Sequence, residues 1–113
     1  MVIGVVEDLV RRTTFHHNGF FGGRMQIALD YDYTYILDPS YWDDFIVQAR
    51  AATHKVLIIS TGYVSDGENI LATMNGKVDG VVFTNGMKKK PYMVFKDGRR
   101  VDVWIDANPE SII

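Results

Sequence analysis

Cysteine is absent from the chain. That excludes disulfide cross-links, thiolate metal centres and a cysteine nucleophile, and it fits a reducing cytoplasm. Long apolar runs are also missing. None approaches the roughly 18–20 residues needed to span a bilayer, so no membrane partner is expected. The opening Met1–Val10 is apolar but carries Glu7 and Asp8. It has no basic region ahead of the apolar stretch and no small-residue cleavage site, so it does not read as a signal peptide. A charge excess is lacking too: 12 Lys and Arg against 14 Asp and Glu leave a net charge of −2. No global field therefore draws the chain to nucleic acid or to an anionic membrane. Finally, 113 residues supply one core but not a core plus a large substrate-capping domain.

What is present is ordered after residue 24. Residues 1–24 read as an N-terminal extension of unassigned role. Met1–Arg12 suits a strand or a short helix, Gly22-Gly23 suits a hinge or loop, and Met25 has the look of a natural start. Residues 25–113 read as one α/β domain. Gln26–Tyr31 is an apolar strand ending in an acid. Pro39–Thr53 is a helix with Asp38 as N-cap and Pro39 in its first turn. Lys55–Ser60 is a continuous apolar strand of the kind buried on both faces of a parallel sheet. Ser65–Asn75 is a helix with Ile70, Leu71 and Met74 inward and Gly76 as its stop. Gly80–Thr84 is a third strand, Lys88–Phe95 a short helix with Pro91 in its first turn, Asp97-Gly98 a turn, and Val101–Ile105 a fourth strand. This alternation predicts a Rossmann-like parallel sheet of about four strands flanked by helices, without a cap domain.

In such a sheet, polar residues just past the carboxyl ends of the strands meet in one crevice. Here those positions hold Asp30 and Asp32, Ser60 and Thr61, Thr84 and Asn85, and Asp106. Two carboxylates two residues apart can divide the labour of phosphoryl transfer. One attacks phosphorus as an anion. The other, its pKa raised by the neighbouring charge, carries the proton that the leaving oxygen needs. A metal ion and a cationic side chain must offset the repulsion between carboxylate and phosphate. The plainer reading is a pair of solvated turn residues, but the pair follows Ile-Ala-Leu at the first strand of a parallel sheet and precedes Thr34.

At this point the sequence resembles a family. Ile27-Ala28-Leu29-Asp30-Tyr31-Asp32-Tyr33-Thr34 is similar to the first motif of haloacid-dehalogenase-like phosphatases, an apolar strand followed by Asp-x-Asp-x-Thr. Ser60-Thr61-Gly62 resembles the second motif, the Lys88-Lys89-Lys90 run the third, and Asp106 after Val-Trp-Ile the fourth. The likeness runs in order over about four-fifths of the chain. The stretch from Val101 to Glu110 is similar to small family members from bacteriophages and bacteria. The resemblance implies a Mg²⁺-dependent phosphohydrolase in which Asp30 forms an aspartyl-phosphate. Asp32 acts as acid and then base, with its backbone carbonyl on the metal. Thr34, Ser60, Thr61 and Lys89 make up the phosphate-binding set, with Thr61 preferred over Ser60 as the second-motif residue. Asp30, Asp32 and Asp106 make up the metal set. Its substrates would be phosphorylated small molecules, nucleotides or nucleic-acid phosphate ends. Capless members reach large substrates or use a neighbouring subunit as a lid, so a homo-oligomer is one implied assembly.

Two positions depart from the family pattern. Ala107 stands where a second acid is usual, which motivates an alternative reading as a catalytically impaired phosphate or nucleotide binder. Tyr33 stands where a small residue is usual, so its ring either crowds the nucleophile or stacks on a base. Other groupings have bland explanations beside the sharp ones. The lysine run with Phe83, Tyr92 and Phe95 could stack on and neutralise nucleic acid, or it is a solvated helix start that sends one lysine into the site. His16-His17 lacks a third ligand at suitable spacing. Tyr31, Tyr33, Tyr35, Tyr41 and Trp42 pack the first loop or wall a substrate. A receiver-type phosphate acceptor fits less well, because the third strand ends in Phe83-Thr84 rather than an aspartate.

Overall fold

The computed structural model describes the backbone of Gly4–Val5 and residues 24–113. The sequence expectations for Gly22-Gly23, for His16-His17 and for most of Met1–Arg12 lie outside the described residues. Five strands form one sheet: β1 (Gly4–Val5), β2 (Gln26–Asp30), β3 (Lys55–Ser60), β4 (Gly80–Phe83) and β5 (Val103–Asp106), in the order β1-β5-β2-β3-β4. The last four are mutually parallel, as the sequence predicted. The fifth, β1, pairs antiparallel with β5, Gly4 opposite Asp106 and Val5 opposite Ile105. The residues read as an extension therefore contribute backbone to the sheet. Three helices flank it, α1 (Pro39–Ala51), α2 (Glu68–Met74) and α3 (Lys89–Tyr92), and no cap is present among the described residues.

The central strands are apolar at successive positions because each face of the sheet is covered. Ile27, Leu29, Val56, Ile58, Val103 and Ile105 point to one face, where they pack with Trp42, Ile46 and Ala49 of α1 and with Met74 of α2. Ala28, Leu57, Ile59, Val82 and Trp104 point to the other, against Met93, Val101 and Ile112. This two-residue alternation also decides the side on which each strand-end polar residue emerges.

Element boundaries differ modestly from the sequence reading. The helix after β3 opens as a 3-10 turn over Val64–Asp66, and α2 proper begins at Glu68. Leu71, read as inward, is 45% exposed, whereas Met74 is buried and Ile70 packs partly buried against the core. The helix expected over Lys88–Phe95 is four residues of α3 followed by a widened turn over Met93–Asp97, closed by Gly98 at φ +87°. The last strand begins at Val103.

Helix α1 shows both of its ends. The Asp38 carboxylate accepts the Tyr41 N–H at 3.3 Å, the expected cap. At the other end the Thr53 N–H donates to the Arg50 carbonyl and the His54 N–H to the Ala49 carbonyl, the paired bonds of a Schellman ending. The residue at its left-handed position is normally glycine, yet here it is Thr53, at φ +72°. A β-branched residue in that region is strained by about 1–2 kcal/mol. Thr53→Gly is therefore expected to raise the melting temperature by a few degrees. Thermal melts of the two proteins check this; an unchanged or lower value would mean that contacts of the threonine side chain outweigh its strain.

Candidate active site

The carboxyl ends of β2, β3 and β5 and the turn after β4 share one edge of the sheet. On β2, Asp30 continues the face of Ala28; on β5, Asp106 continues the face of Trp104. Both side chains thus emerge toward the layer that contains α3. There the Lys89 ammonium meets them, 2.5 Å from Asp30 Oδ1 and 2.6 Å from Asp106 Oδ2. All three side chains are 2% exposed or less.

Lys89 is delivered by a tight turn. Asn85 and Gly86 are both left-handed, at φ +52° and +85°, and the Met87 N–H donates to the Thr84 carbonyl. The buried Thr84 hydroxyl donates to the Met87 carbonyl at 2.6 Å. Asn85 N–H and Gly86 N–H bond back to the carbonyls of Gly62 and Thr61, tying the turn to the loop after β3. Of the three consecutive lysines only Lys89 is buried. Lys88 donates instead to the Glu110 carbonyl at 2.5 Å.

The remaining acceptors of the two acids are also occupied. Asp30 Oδ2 accepts the Tyr33 N–H at 2.6 Å. Asp106 Oδ1 accepts the Asn108 N–H, and its Oδ2 also accepts the Ser111 hydroxyl, both at 2.8 Å. Ser111 was not singled out in the sequence. The 3-10 turn Pro109–Ser111 folds it back five residues, and nothing in a lone serine near the end of the chain announces that. Burial pushes the Asp30 carboxyl above the usual aspartate range, against the pull of the nearby Lys89 charge and its hydrogen bond; the Asp106 charge adds to the rise.

The other expected site residues fall around this centre. Asp32, half-buried, accepts the Ser60 hydroxyl at 2.8 Å, and the same Ser60 oxygen accepts the Gly62 N–H at 3.0 Å. Ser60 continues the Val56 and Ile58 face. Thr61 follows the end of β3, and its carbonyl accepts the Gly86 N–H. Thr34 is fully buried, and its hydroxyl oxygen accepts the Ala107 N–H at 2.9 Å, which ties the loop after β2 to the loop after β5. The aromatic cluster divides. Tyr35 and Trp42 belong to the core, with Tyr35 Oη donating to Asp43 at 2.6 Å, whereas Tyr33 and Tyr41 are more than half exposed.

The side chains of Asp30, Asp32 and Asp106 do not form one cluster, and the metal contact expected of Asp32 is through its backbone carbonyl. The Asp32 carboxylate turns to Ser60, and no group of three His, Asp or Glu side chains suited to a metal ion occurs among the described residues. Mg²⁺ is commonly held by one or two carboxylates and completes its shell from water and substrate oxygens; Asp30 and Asp106 are the two that converge here, and the Lys89 ammonium bonds to both. Chemically the centre offers a strand-end carboxylate for attack, a buried ammonium beside it, and a hydroxyl-bound second acid at the opening. No protein-family model, no curated protein and no solved structure matches this chain.

Proposed function

We propose that this protein is a Mg²⁺-dependent phosphohydrolase of the haloacid-dehalogenase-like type, acting on a phosphorylated small molecule, a nucleotide or the phosphate end of a nucleic acid. The observation that supports this most strongly is the buried Lys89 joining Asp30, the first acid of Asp-x-Asp-x-Thr, to Asp106. Asp30 attacks phosphorus; the bond from phosphorus to the ester oxygen breaks, and Asp32 protonates the departing oxygen. Water then attacks the aspartyl-phosphate, giving a proton to Asp32 and releasing inorganic phosphate and the free Asp30 carboxylate. Lys89 steadies the ionised Asp30 and draws in the phosphoryl oxygens, aided by Thr61. Mg²⁺, held by Asp30, Asp106 and the Asp32 carbonyl, would offset the negative charge that phosphate brings to the carboxylates.

The test is phosphate release with Mg²⁺ across nucleotides, sugar phosphates and phosphorylated oligonucleotides, followed over pH. Attack needs ionised Asp30, so the rate should fall as pH drops through its pKa. Burial places that acid limb above the ordinary aspartate range. Absence of phosphate release from every member of the panel would overturn the proposal.

A second reading rests on Ala107. It is half-buried directly after Asp106 and supplies only a backbone N–H to Thr34. On this reading the chain binds phosphate but turns over poorly because its metal set is one acid short. Ala107→Asp should then tighten Mg²⁺ binding by about 10–100-fold, measured by calorimetric titration. Tight binding by the wild type with no gain in the variant would remove the motive for this reading.

A further inference from the structure

At the opposite edge of the sheet, where the parallel strands begin, lies a second concavity of about 380 Å³. Its cationic lining comes from three separate segments: Arg24 before β2, Lys55 at the start of β3, and Arg99 with Arg100 in the loop before β5. These are four of the chain's 12 basic residues, gathered at one place in a protein of net negative charge. Two have carboxylate partners. Arg99 grips Asp97 through two 2.7 Å bonds, and Arg100 Nε stands 2.8 Å from Asp102. Arg24 and Lys55 have no ion-pair partner among the described residues. Among the described residues the cavity thus carries a surplus of two positive charges.

We propose that this cavity binds a small anion bearing two or more phosphate groups, independently of the reaction at the carboxyl edge. Its volume lies within the range of small-ligand sites, about 300–1,000 Å³. Guanidinium forks match phosphate oxygens in geometry as well as charge. An oligophosphate also brings enough charge to neutralise the surplus. The strained Thr53 lines the same cavity. Glycine would relieve the backbone there but would remove a hydroxyl from the lining. The strands separate the two sites, since the five residues of β2 span about 17 Å at roughly 3.3 Å each.

The experiment is a nitrogen-15 amide titration of the full chain with inorganic tripolyphosphate, repeated with a nucleoside triphosphate to tell a bare phosphate chain from a nucleotide tail. Shifts are expected at the amides of Thr53, Lys55 and Arg100, weakening as salt is raised. The double variant Arg24→Glu, Lys55→Glu reverses two exposed charges without touching the core. It should weaken binding more than about tenfold. Shifts confined to Tyr33, Gly62 and Lys89 would overturn the proposal while supporting phosphate binding at the carboxyl edge. Shifts at the cavity that the double variant leaves unchanged, or no shifts anywhere, would overturn it as well.

Discussion

Lys89→Met is expected to destabilise the protein by about 3–5 kcal/mol at neutral pH, the cost of stripping one partner from a buried ion pair. The wild-type centre already holds two acids for one ammonium. Without Lys89, Asp30 and Asp106 would face each other almost wholly out of water. The loss has a pH signature. Removing Lys89 removes the main opposition to burial, so the Asp30 carboxyl rises further above its unfolded value. A carboxyl whose folded pKa is raised stabilises the folded state only while protonated, and that contribution is lost as pH rises through the folded value. The gap between Lys89→Met and wild type should therefore narrow on acidification and widen toward neutrality. Denaturant unfolding of both proteins at several pH values reads this directly. A deficit independent of pH would mean that lost packing, not uncovered charge, is the cause. Lys88→Met and Lys90→Met, made alongside, should have far smaller effects, since only Lys89 is buried.

Asp30→Asn acts on the same centre and should separate activity from stability. The amide cannot attack phosphorus, so turnover should fall by about three orders of magnitude or more. The fold should survive. Neutralising Asp30 leaves Lys89 and Asp106 as a balanced pair and removes the surplus buried charge. Against that relief stands one misplaced donor, because the amide nitrogen must face either Lys89 or the Tyr33 N–H, both of which donate to Asp30 now. The two effects oppose each other, and the melting temperature should stay within about 5 °C of wild type. Steady-state assay and thermal melt on one preparation give both answers. A folded variant with normal turnover would exclude Asp30 as the nucleophile.

The strands were legible because burial on both faces demands unbroken apolar runs, and those runs stand out in Ile-Ala-Leu, Val-Leu-Ile-Ile and Val-Trp-Ile. Their order along the chain, alternating with helices, sufficed to place Asp30, Ser60, Thr84 and Asp106 at one edge. The finer assignments depended on geometry that periodicity does not carry. Which of three lysines enters the centre is set by the Asn85-Gly86 turn and by where α3 begins. Asp32 sits two residues from Asp30, yet it bonds to β3, because the loop curls after the strand ends. Thr34 is a tie between loops, a role that depends on where Ala107 lies in space. Ser111 was missed for the same reason, since a single hydroxyl leaves no periodic trace; a strand within Met1–Arg12 was one of the two readings, but its pairing with β5 was not.

The β1 ladder has a practical consequence. A chain begun at Met25 would keep every residue of the Asp30–Lys89–Asp106 centre but would bare the outer side of β5. Ile105 and Asp106 would lose the backbone partners they have in Val5 and Gly4. An uncovered strand edge is a template on which another chain can pair, and this one ends in an acid of the centre itself. Shortening the protein thus invites strand exchange between copies at the flank of the site, with Asp106 next to the new seam. A pairing of two residues thus covers a strand edge that ends in the centre.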